Sequence, residues 1–225
     1  MVGVYRERMT TDATDTETGE DETTAAQPTG DVPNTTEVLI LGGGAGGYVA
    51  AIKAAQRSLD VTLVERDALG GTCLNTGCIP SKAVIHGADI AHEATTAEEL
   101  GISASVDVDM EGLIGWKDGV VGQLTGGIEQ ICQANGVTVV DGTAEFIDDH
   151  HASVSTDDGD HTVDFEYAII ATGSRPIELP GFAPDGEYVL SSTDILSLSS
   201  MPDELLVVGA GYIGMELSTA LTKLG

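Results

Sequence analysis

Hydrophobic positions first form a strand, turn, helix, strand pattern between residues 37 and 67. An apolar run after Glu37 is followed by a glycine-rich turn, a helical pattern and a second apolar run that ends at Glu65. Short continuous apolar runs of this kind are typical of strands that are buried on both faces of a parallel sheet. The pattern therefore predicts a βαβ unit.

The periodicity changes several times beyond this unit. Residues 81–96 and 110–135 have helical spacing of their apolar positions. Between about 137 and 170, short segments rich in Val, Ile, Phe and Tyr alternate with Gly and Asp, and we expect strands with antiparallel pairing there. After the proline-marked connection at 174–182, the segment ELLVVGAGYIGMEL predicts a second strand, glycine turn and helix. The chain is thus predicted to be α/β, with two Rossmann-like units.

The first 36 residues differ in composition from the rest. They are rich in Thr, Asp and Glu and contain little that could be buried, so ordering them would cost conformational entropy without compensation. We expect a disordered acidic tail over 1–36, and either Met1 or Met9 is compatible with a start. A complete dinucleotide domain needs strands after Gly225, so the chain is expected to be the N-terminal portion of a longer protein.

The net charge of −28 changes this picture, because it comes from 37 acidic residues against nine Lys and Arg. The tail carries −6 and the remaining 189 residues carry −22, so most of the charge belongs to the folded body. Such a body repels nucleic acid and anionic lipid, and neither is an expected partner. The scarcity of lysine favours adaptation to high salt over an ordinary acidic cytosolic protein.

Targeting signals are not apparent in the sequence. It contains no run of 18 apolar residues and no secretory signal, so we expect a cytoplasmic location and no membrane partner. Three cysteines are too few for a disulfide framework. In a reducing compartment, a closely spaced cysteine pair is more often catalytic or metal-binding than structural.

The glycine turn after the first strand has the spacing G-x-G-x-x-G, at Gly42, Gly44 and Gly47. The first glycine permits a tight turn, the second admits a pyrophosphate, and the third lets helix and strand pack closely. Glu65 ends the next strand, where an acid can accept hydrogen bonds from a ribose. In this context, the motif predicts an adenine dinucleotide site rather than a merely glycine-rich turn.

The same spacing recurs at Gly209, Gly211 and Gly214, which predicts a second dinucleotide site. The residue that separates NAD from NADP would follow the glycines by about 20 positions, which is past Gly225.

Cys73 and Cys78 lie in the segment GTCLNTGCIPSK, and three interpretations are open. A zinc site needs four ligands, yet no second Cys or His pair follows at suitable spacing, and we expect no metal. A structural disulfide disagrees with the compartment. A redox role is favoured, since a helix beginning near Pro80 would stabilise a Cys78 thiolate. Lys82 lies one turn further on, either buried with a carboxylate partner or exposed.

These motifs together carry a resemblance to a known family. GGGAGG, GGTCLNTGCIPSK, ATGSRP and GAGYIGMEL occur in the order found in the flavin disulfide reductases, and the resemblance covers residues 37–225. CLNTGCIPSK most resembles the dihydrolipoamide dehydrogenases of that family, and the acidic composition resembles those of extreme halophiles. Three domains follow from it: the tail at 1–36, an FAD-binding domain with the redox-active disulfide at 37–180, and the start of an NAD-binding domain at 181–225.

The resemblance implies cofactors and roles for individual residues. FAD would lie along the first site, at Gly42, Gly44, Gly47, Glu65, Gly71, Thr72, Lys82, Gly142, Thr172 and Gly173. The nicotinamide cofactor would bind at Gly209, Gly211, Gly214 and Glu216. Cys73 would be the outer thiol that exchanges with a lipoyl disulfide, and Cys78 the inner thiol that acts as charge-transfer donor to the flavin. Lys82 would pair with Glu216 near the flavin.

The resemblance also implies partners and leaves rivals. It implies a homodimer when full length, and a lipoyl domain of a 2-oxoacid dehydrogenase or glycine cleavage complex as partner. The family's catalytic His and Glu and its C-terminal dimerisation domain have no counterpart here, so the chain resembles an incomplete enzyme. His86 and His92 are interpreted as solvated polar residues. Glutathione reductase, mercuric reductase and a non-catalytic FAD- or nucleotide-binding module remain alternatives.

The charge predicts that the protein is more ordered in molar salt than in dilute buffer, because the body carries −22 with few basic partners. Far-UV circular dichroism across a KCl series measures this. Equal folding at about 0.05 M and about 3 M KCl, between which the screening length changes several-fold, would contradict the prediction.

Overall fold

The computed structural model describes residues 31–177 and 180–225, so most of the tail predicted at 1–36 lies outside the described residues. The first strand begins at Thr35, with Thr36 buried, so the folded body starts two residues before the predicted boundary. The strands are β1 (Thr35–Leu41), β2 (Val61–Glu65), β3 (Thr138–Asp141), β4 (Thr143–Phe146), β5 (His151–Thr156) and β6 (Gly159–Ile170). The helices are α1 (Ala45–Ala55), α2 (Gly71–Asn75), α3 (Cys78–Thr96), α4 (Met110–Ala134), α5 (Ser192–Ile195) and α6 (Tyr212–Leu224).

The predicted βαβ unit and both long helices are confirmed. β1 and β2 are connected by α1 and pair in parallel. α3 and α4 form in the two stretches that were predicted to be helical. β1 is apolar and buried from Val38 to Leu41, as expected for a central parallel strand that is covered on both faces. No helix in the described part of the chain is long and apolar enough to span a membrane.

The six strands form one mixed sheet in the order β3-β2-β1-β6-β5-β4. β4, β5 and β6 pair antiparallel as predicted. The prediction was wrong for β3, which pairs in parallel with β2. The reason is that α4 precedes β3, so the chain crosses over before it returns to the sheet, and a helical crossover produces a parallel strand.

β6 changes partner halfway along its length. Residues 159–164 pair with β5, whereas residues 164–170 pair with β1. Within the described residues, β5 therefore does not reach the second half of β6. Tyr167 and Ile170 in that half are 64% and 69% exposed.

The chain divides into two compact units, which we name by their main content. The sheet unit contains residues 31–75 and 121–175, and its apolar core lies on both faces of the sheet. The helical unit contains residues 76–120 and the described part of 176–225, and its core joins α3, the start of α4, α5 and α6. The segment 76–120, which the sequence analysis assigned to the first domain, thus packs with the residues around α6.

The second predicted strand, within ELLVV, is not formed. In the described part of the chain no strand pairs with residues 204–208, and a strand requires a neighbour for its backbone hydrogen bonds. Leu205 and Val207 nevertheless pack on the helical core, whereas Leu206 and Val208 are exposed. Residues 205–208 therefore alternate between buried and exposed side chains, as in a strand, but they have no hydrogen-bonded neighbouring strand among the described residues.

Candidate functional site

The turn that follows β1 brings backbone atoms unusually close together. Gly42 has φ +98°, and a Cβ there would lie 2.4 Å from the carbonyl oxygen of Ala171. A Cβ at Gly47 would lie 1.7 Å from the carbonyl oxygen of Gly42. Both positions therefore require glycine, which explains the first and third glycines of the motif.

Gly44 is the N-cap of α1, and no side chain caps the helix there. The amide groups of the first helical turn have no intrahelical acceptor, and the positive end of the helix dipole lies at the same place. This geometry is suited to a phosphate or pyrophosphate.

A second glycine segment meets the first, and the sequence analysis recognised only part of it. Gly70 donates its N–H to the carbonyl oxygen of Gly43 at 2.9 Å, and it forms a parallel bridge with Gly44. A Cβ at Gly71, which has φ +61°, would lie 2.7 Å from the Cα of Gly44. The two segments thus line the start of α1 with bare backbone.

Asn75 holds this second segment in place and was missed in the sequence. Its Nδ2 donates to the carbonyl oxygens of Leu69 and Gly71 at 3.0 and 3.1 Å. Its Oδ1 accepts a longer hydrogen bond from Thr125 of α4 at 3.4 Å. An asparagine two residues after a cysteine gives no distinctive sequence signal, so only the fold reveals this role.

Glu65, the predicted ribose ligand, lies at the end of β2. Its Oε2 accepts a hydrogen bond from the N–H of Gly43 at 2.5 Å. Its Oε1 accepts from the N–H groups of Arg66 and Asp67, each at 2.9 Å. The carboxylate therefore braces the glycine turn, and its role towards a ribose stays a prediction.

The other predicted residues of the first site in the sheet unit lie at the same edge. Gly142 follows β3, donates to the carbonyl oxygen of Glu65 at 2.9 Å, and would place a Cβ 2.5 Å from the carbonyl oxygen of Ser155. Thr172 and Gly173 follow β6 and are exposed, and Gly173 has φ +69°. Because parallel strands end at one edge of a sheet, this edge is where a dinucleotide binds in such folds.

Negative charge accumulates beside Glu65. Glu65 and Asp141 are register partners at the ends of β2 and β3. Partial burial, followed by repulsion from Asp157, Glu65 and Asp67, raises the pKa of Asp141. Ionised Asp141 is therefore a local source of instability at neutral pH.

Cys73 lies in α2 of the sheet unit and is exposed as a thiol. Cys78 is also an exposed thiol and is the first residue of α3, in the helical unit. The helix thus begins two residues before the predicted start near Pro80, because Pro80 is accommodated within the first turn, where its missing N–H costs no hydrogen bond. The disulfide between Cys73 and Cys78 in the oxidised form stays a prediction.

α3 has Gly77 as its N-cap, with no side-chain hydrogen bond at the cap. Cys78 therefore occupies the positive end of the dipole of a 19-residue helix. One turn later, Lys82 is exposed. Among residues 31–177 and 180–225, no ion pair joins Lys82 to Glu216, which is exposed on α6.

The second glycine turn has the local geometry of the first. Gly209 has φ +109°, Gly211 is the N-cap of α6 without a side-chain cap, and Gly214 is buried in the first turn of the helix. The three glycines thus form a turn that opens a helix, although the strand before them is unpaired.

The remaining polar side chains give no metal centre. In the part of the chain that the structure describes, no three His, Cys, Asp or Glu side chains are grouped so that they could hold a metal ion. His86 and His92 are exposed on α3, and the ring of His86 lies 6.1 Å from that of Trp116.

Comparison with known proteins identifies related sequences and folds. The family profile described as pyridine nucleotide-disulphide oxidoreductase matches residues 36–225. The chain is 59% identical over 199 residues to dihydrolipoyl dehydrogenase 2 of Haloarcula marismortui and 57% identical to the dihydrolipoyl dehydrogenase of Haloferax volcanii. Each match covers 87% of this chain and 42% of the relative, so the chain spans less than half of the relatives' length.

Two solved structures have similar folds. The chain is similar to LpdA from Mycobacterium tuberculosis, with a TM-score of 0.69 and 29% identity over 75% of this chain and 38% of that one. It is also similar to the HOCl-induced flavoprotein disulfide reductase RclA from Escherichia coli in its Cu(II) complex. There the TM-score is 0.71 and the identity 28%, over 86% of this chain and 41% of that one.

Replacing Gly47 by Ala should destabilise the protein by about 1–3 kcal/mol, because the new methyl group overlaps the carbonyl oxygen of Gly42. Gly46→Ala is the matched control, since a Cβ there has no neighbour nearer than 3.7 Å. Urea denaturation measures both variants. Equal stability of the two variants would contradict the close approach at Gly47.

Asp141→Asn should raise the stability at pH 7 in low salt. A raised folded-state pKa means that ionisation destabilises the fold above that pKa, and the penalty disappears as the pH falls through it. The gain over wild type should therefore shrink towards acid pH and in molar KCl, as measured by urea denaturation. Asp149→Asn removes an equal charge from an exposed site and should not show this pH dependence.

Proposed function

Because the chain belongs to the pyridine nucleotide-disulphide oxidoreductase family, we propose that it is the FAD-binding and disulfide-carrying part of a dihydrolipoamide dehydrogenase. The overall reaction would be the oxidation of dihydrolipoamide by NAD⁺ to lipoamide and NADH. The single observation that carries the proposal is the pair of glycine segments that meet at the start of α1. They lie at the edge where the parallel strands end, and the second segment leads into α2, which carries Cys73.

The residues present fit FAD. The start of α1 has no side-chain cap, so its free N–H groups would bind a pyrophosphate, and the close approach of Gly71 to Gly44 lines this position with backbone. Glu65 ends β2, where it would bind a ribose after releasing the N–H of Gly43. The full proposed set is Gly42, Gly44, Gly47, Glu65, Gly71, Thr72, Lys82, Gly142, Thr172 and Gly173. When bound, FAD supplies two-electron transfer between a dithiol and a nicotinamide.

The two cysteines would perform the thiol chemistry. Exposure of Cys73 on α2 allows a substrate thiolate to attack its sulfur when it is in a disulfide with Cys78. The leaving sulfur is that of Cys78, which lies at the start of α3. The second thiol of dihydrolipoamide then attacks the mixed disulfide at the substrate sulfur. Lipoamide leaves, and both cysteines are reduced by two electrons and two protons in total.

The Cys73–Cys78 disulfide would form again with loss of two electrons and two protons from the two thiols, and bound FAD and NAD⁺ would supply the acceptor chemistry. The second glycine turn, at Gly209, Gly211 and Gly214, would bind the nicotinamide cofactor at the uncapped start of α6. Glu216 lies in the next turn of that helix, and it would pair with Lys82 beside the flavin.

The names of the relatives support a partner as well as an activity. The proposed substrate is a lipoyl domain of a 2-oxoacid dehydrogenase or glycine cleavage complex, and the complete enzyme would be a cytoplasmic homodimer. The net charge of −28 disfavours nucleic acid and anionic membranes as partners. Adaptation to high salt fits the origin of the relatives in halophilic archaea.

Counting thiols tests the proposed exchange. The chain has three cysteines, so the fully reduced FAD-loaded protein should give three titratable thiols after denaturation, and the oxidised protein only that of Cys132. Excess lipoamide, added anaerobically to reduced protein, should lower the protein's thiol count from three to one after removal of the small molecules, because the two thiol hydrogens move to dihydrolipoamide. In Cys132→Ser, the number of titratable thiols should fall from two to none. This variant is the control, because Cys132 is buried in the sheet unit.

The same assay separates the rivals. Glutathione disulfide, offered in place of lipoamide, should oxidise the two thiols much less effectively. Hg(II) binds thiols without oxidising them, so its arm is read as release of Hg(0), which should not occur. Preferred oxidation by glutathione disulfide, or release of Hg(0), would assign the chain to the corresponding reductase. Cys73→Ser and Cys78→Ser should each keep a constant count of two. An unchanged count of three in the wild type with every oxidant would overturn the redox role and leave a nucleotide-binding module.

A further inference from the structure

An ion pair joins α3 to α6, and neither of its residues belongs to the proposed cofactor or catalytic set. Nζ of Lys223 lies 2.5 Å from Oδ1 of Asp89, and the two side chains are 29% and 43% exposed. Both residues line a groove between the helices that also includes Ile85 and Glu216. Lys223 is one of only four lysines in the chain, so its use at this contact calls for an explanation.

The cores of the two helices show how they are aligned. One apolar cluster contains two series with the same i, i+4, i+7 spacing: Val84, Ala88 and Ala91 on α3, and Leu217, Leu221 and Leu224 on α6. If the helices ran in opposite directions with Lys223 beside Asp89, Thr219 would face residue 93, whereas Thr219 lines the groove together with Ile85, on the other side of Asp89. The groove and the ion pair therefore indicate that the helices run in the same direction.

In this alignment, Lys82 and Glu216 stand in the same relation as the observed pair. Asp89 and Lys223 are 134 residues apart, and so are Lys82 and Glu216. Seven residues earlier on both helices corresponds to about two turns, or about 10 Å, on the same flank. Parallel helices with heptad spacing bring such positions opposite one another.

The order of the charges opposes a slip between the helices. Nearer the start of the helices, the cation is Lys82 on α3 and the anion is Glu216 on α6. Two turns later the order is reversed, with the anion Asp89 on α3 and the cation Lys223 on α6. A slip of two turns would place Glu216 beside Asp89, so that two carboxylates would face each other. Like charges at such positions disfavour the wrong register.

We propose that the Asp89–Lys223 ion pair is a positioning contact that sets the register of α6 along α3 and thereby places Glu216 opposite Lys82. The meaning of that placement rests on the proposed function, in which Lys82 and Glu216 lie beside the flavin and the nicotinamide cofactor. Asp89 and Lys223 touch neither cofactor in this proposal, and they act only through the alignment of the two helices.

A zero-length carbodiimide cross-linker tests the alignment directly, because it joins an amine and a carboxylate that come into contact. The FAD-loaded protein is treated in molar KCl, and cross-linked peptides are quantified by mass spectrometry. The wild type should give both the Lys223–Asp89 and the Lys82–Glu216 products. This readout is independent of turnover.

Lys223→Asp replaces the ion pair by two carboxylates and should lower the yield of the Lys82–Glu216 product by about fivefold, the population change expected from an exposed ion pair at the upper end of its range. Lys223→Gln, which removes the attraction without adding repulsion, should lower it less. Asp89→Lys combined with Lys223→Asp restores opposite charges and should restore the yield. Glu93→Lys reverses an exposed charge on α3 and is the matched control, with no change expected.

An unchanged Lys82–Glu216 yield in both single variants of Lys223 would overturn the proposal, and so would failure of the charge-swapped protein to recover when thermal unfolding shows it folded. Absence of the Lys82–Glu216 product in the wild type would overturn it as well. If the cross-linking pattern is as expected but lipoamide does not change the number of titratable thiols, the proposed function is refuted and the alignment of α3 and α6 stands.

Discussion

The contact between Gly47 and Gly42 is the constraint on which the sheet unit depends. Because neither residue has a side chain, the first turn of α1 can approach the end of β1 until the backbones touch. α1 then lies close enough to the sheet to bury Ala51 completely, and its start points at the edge where β2 and β6 also end. The same lack of side chains lets the backbone of Gly71 approach that of Gly44 beside the uncapped start of α1. The packing of α1 on the sheet and the proposed pyrophosphate site therefore both depend on the absence of side chains at these glycines.

The sequence predicts those parts of the fold that are encoded locally. The βαβ unit has continuous apolar strands and a spaced glycine turn, and both signals are contained within about 30 residues. The direction of β3 is set by the crossover of α4, and the local composition of β3 does not contain that information. The strand in ELLVV has the right alternation, yet pairing depends on a neighbour and not on the segment itself.

The candidate site divides in the same way. Gly42, Gly44, Gly47 and Glu65 are predictable because their spacing follows from the geometry of one turn. Gly70 and Asn75 are not, since their partners at Gly43 and Thr125 are distant in sequence. Ion pairs across helices are equally hidden: Asp89 and Lys223 look like ordinary surface charges until the alignment of α3 and α6 is known. Lys117, although charged, is only 5% exposed and donates to the carbonyl oxygen of Leu196 at 2.8 Å.

The second half of β6 gives this protein two opposing responses to salt. Among the described residues no strand pairs with the outer edge of this half of β6, and such an edge beside the exposed Tyr167 and Ile170 is a template to which another extended chain can add. Glu166, directly before Tyr167, acts as a charged gatekeeper. In molar salt, the screening length falls to about 3 Å, so Glu166 repels an approaching acidic chain much less effectively. The screening that favours the compact body at the same time lowers the barrier to edge-to-edge aggregation. Colloidal stability and conformational stability should therefore reach their optima at different ionic strengths.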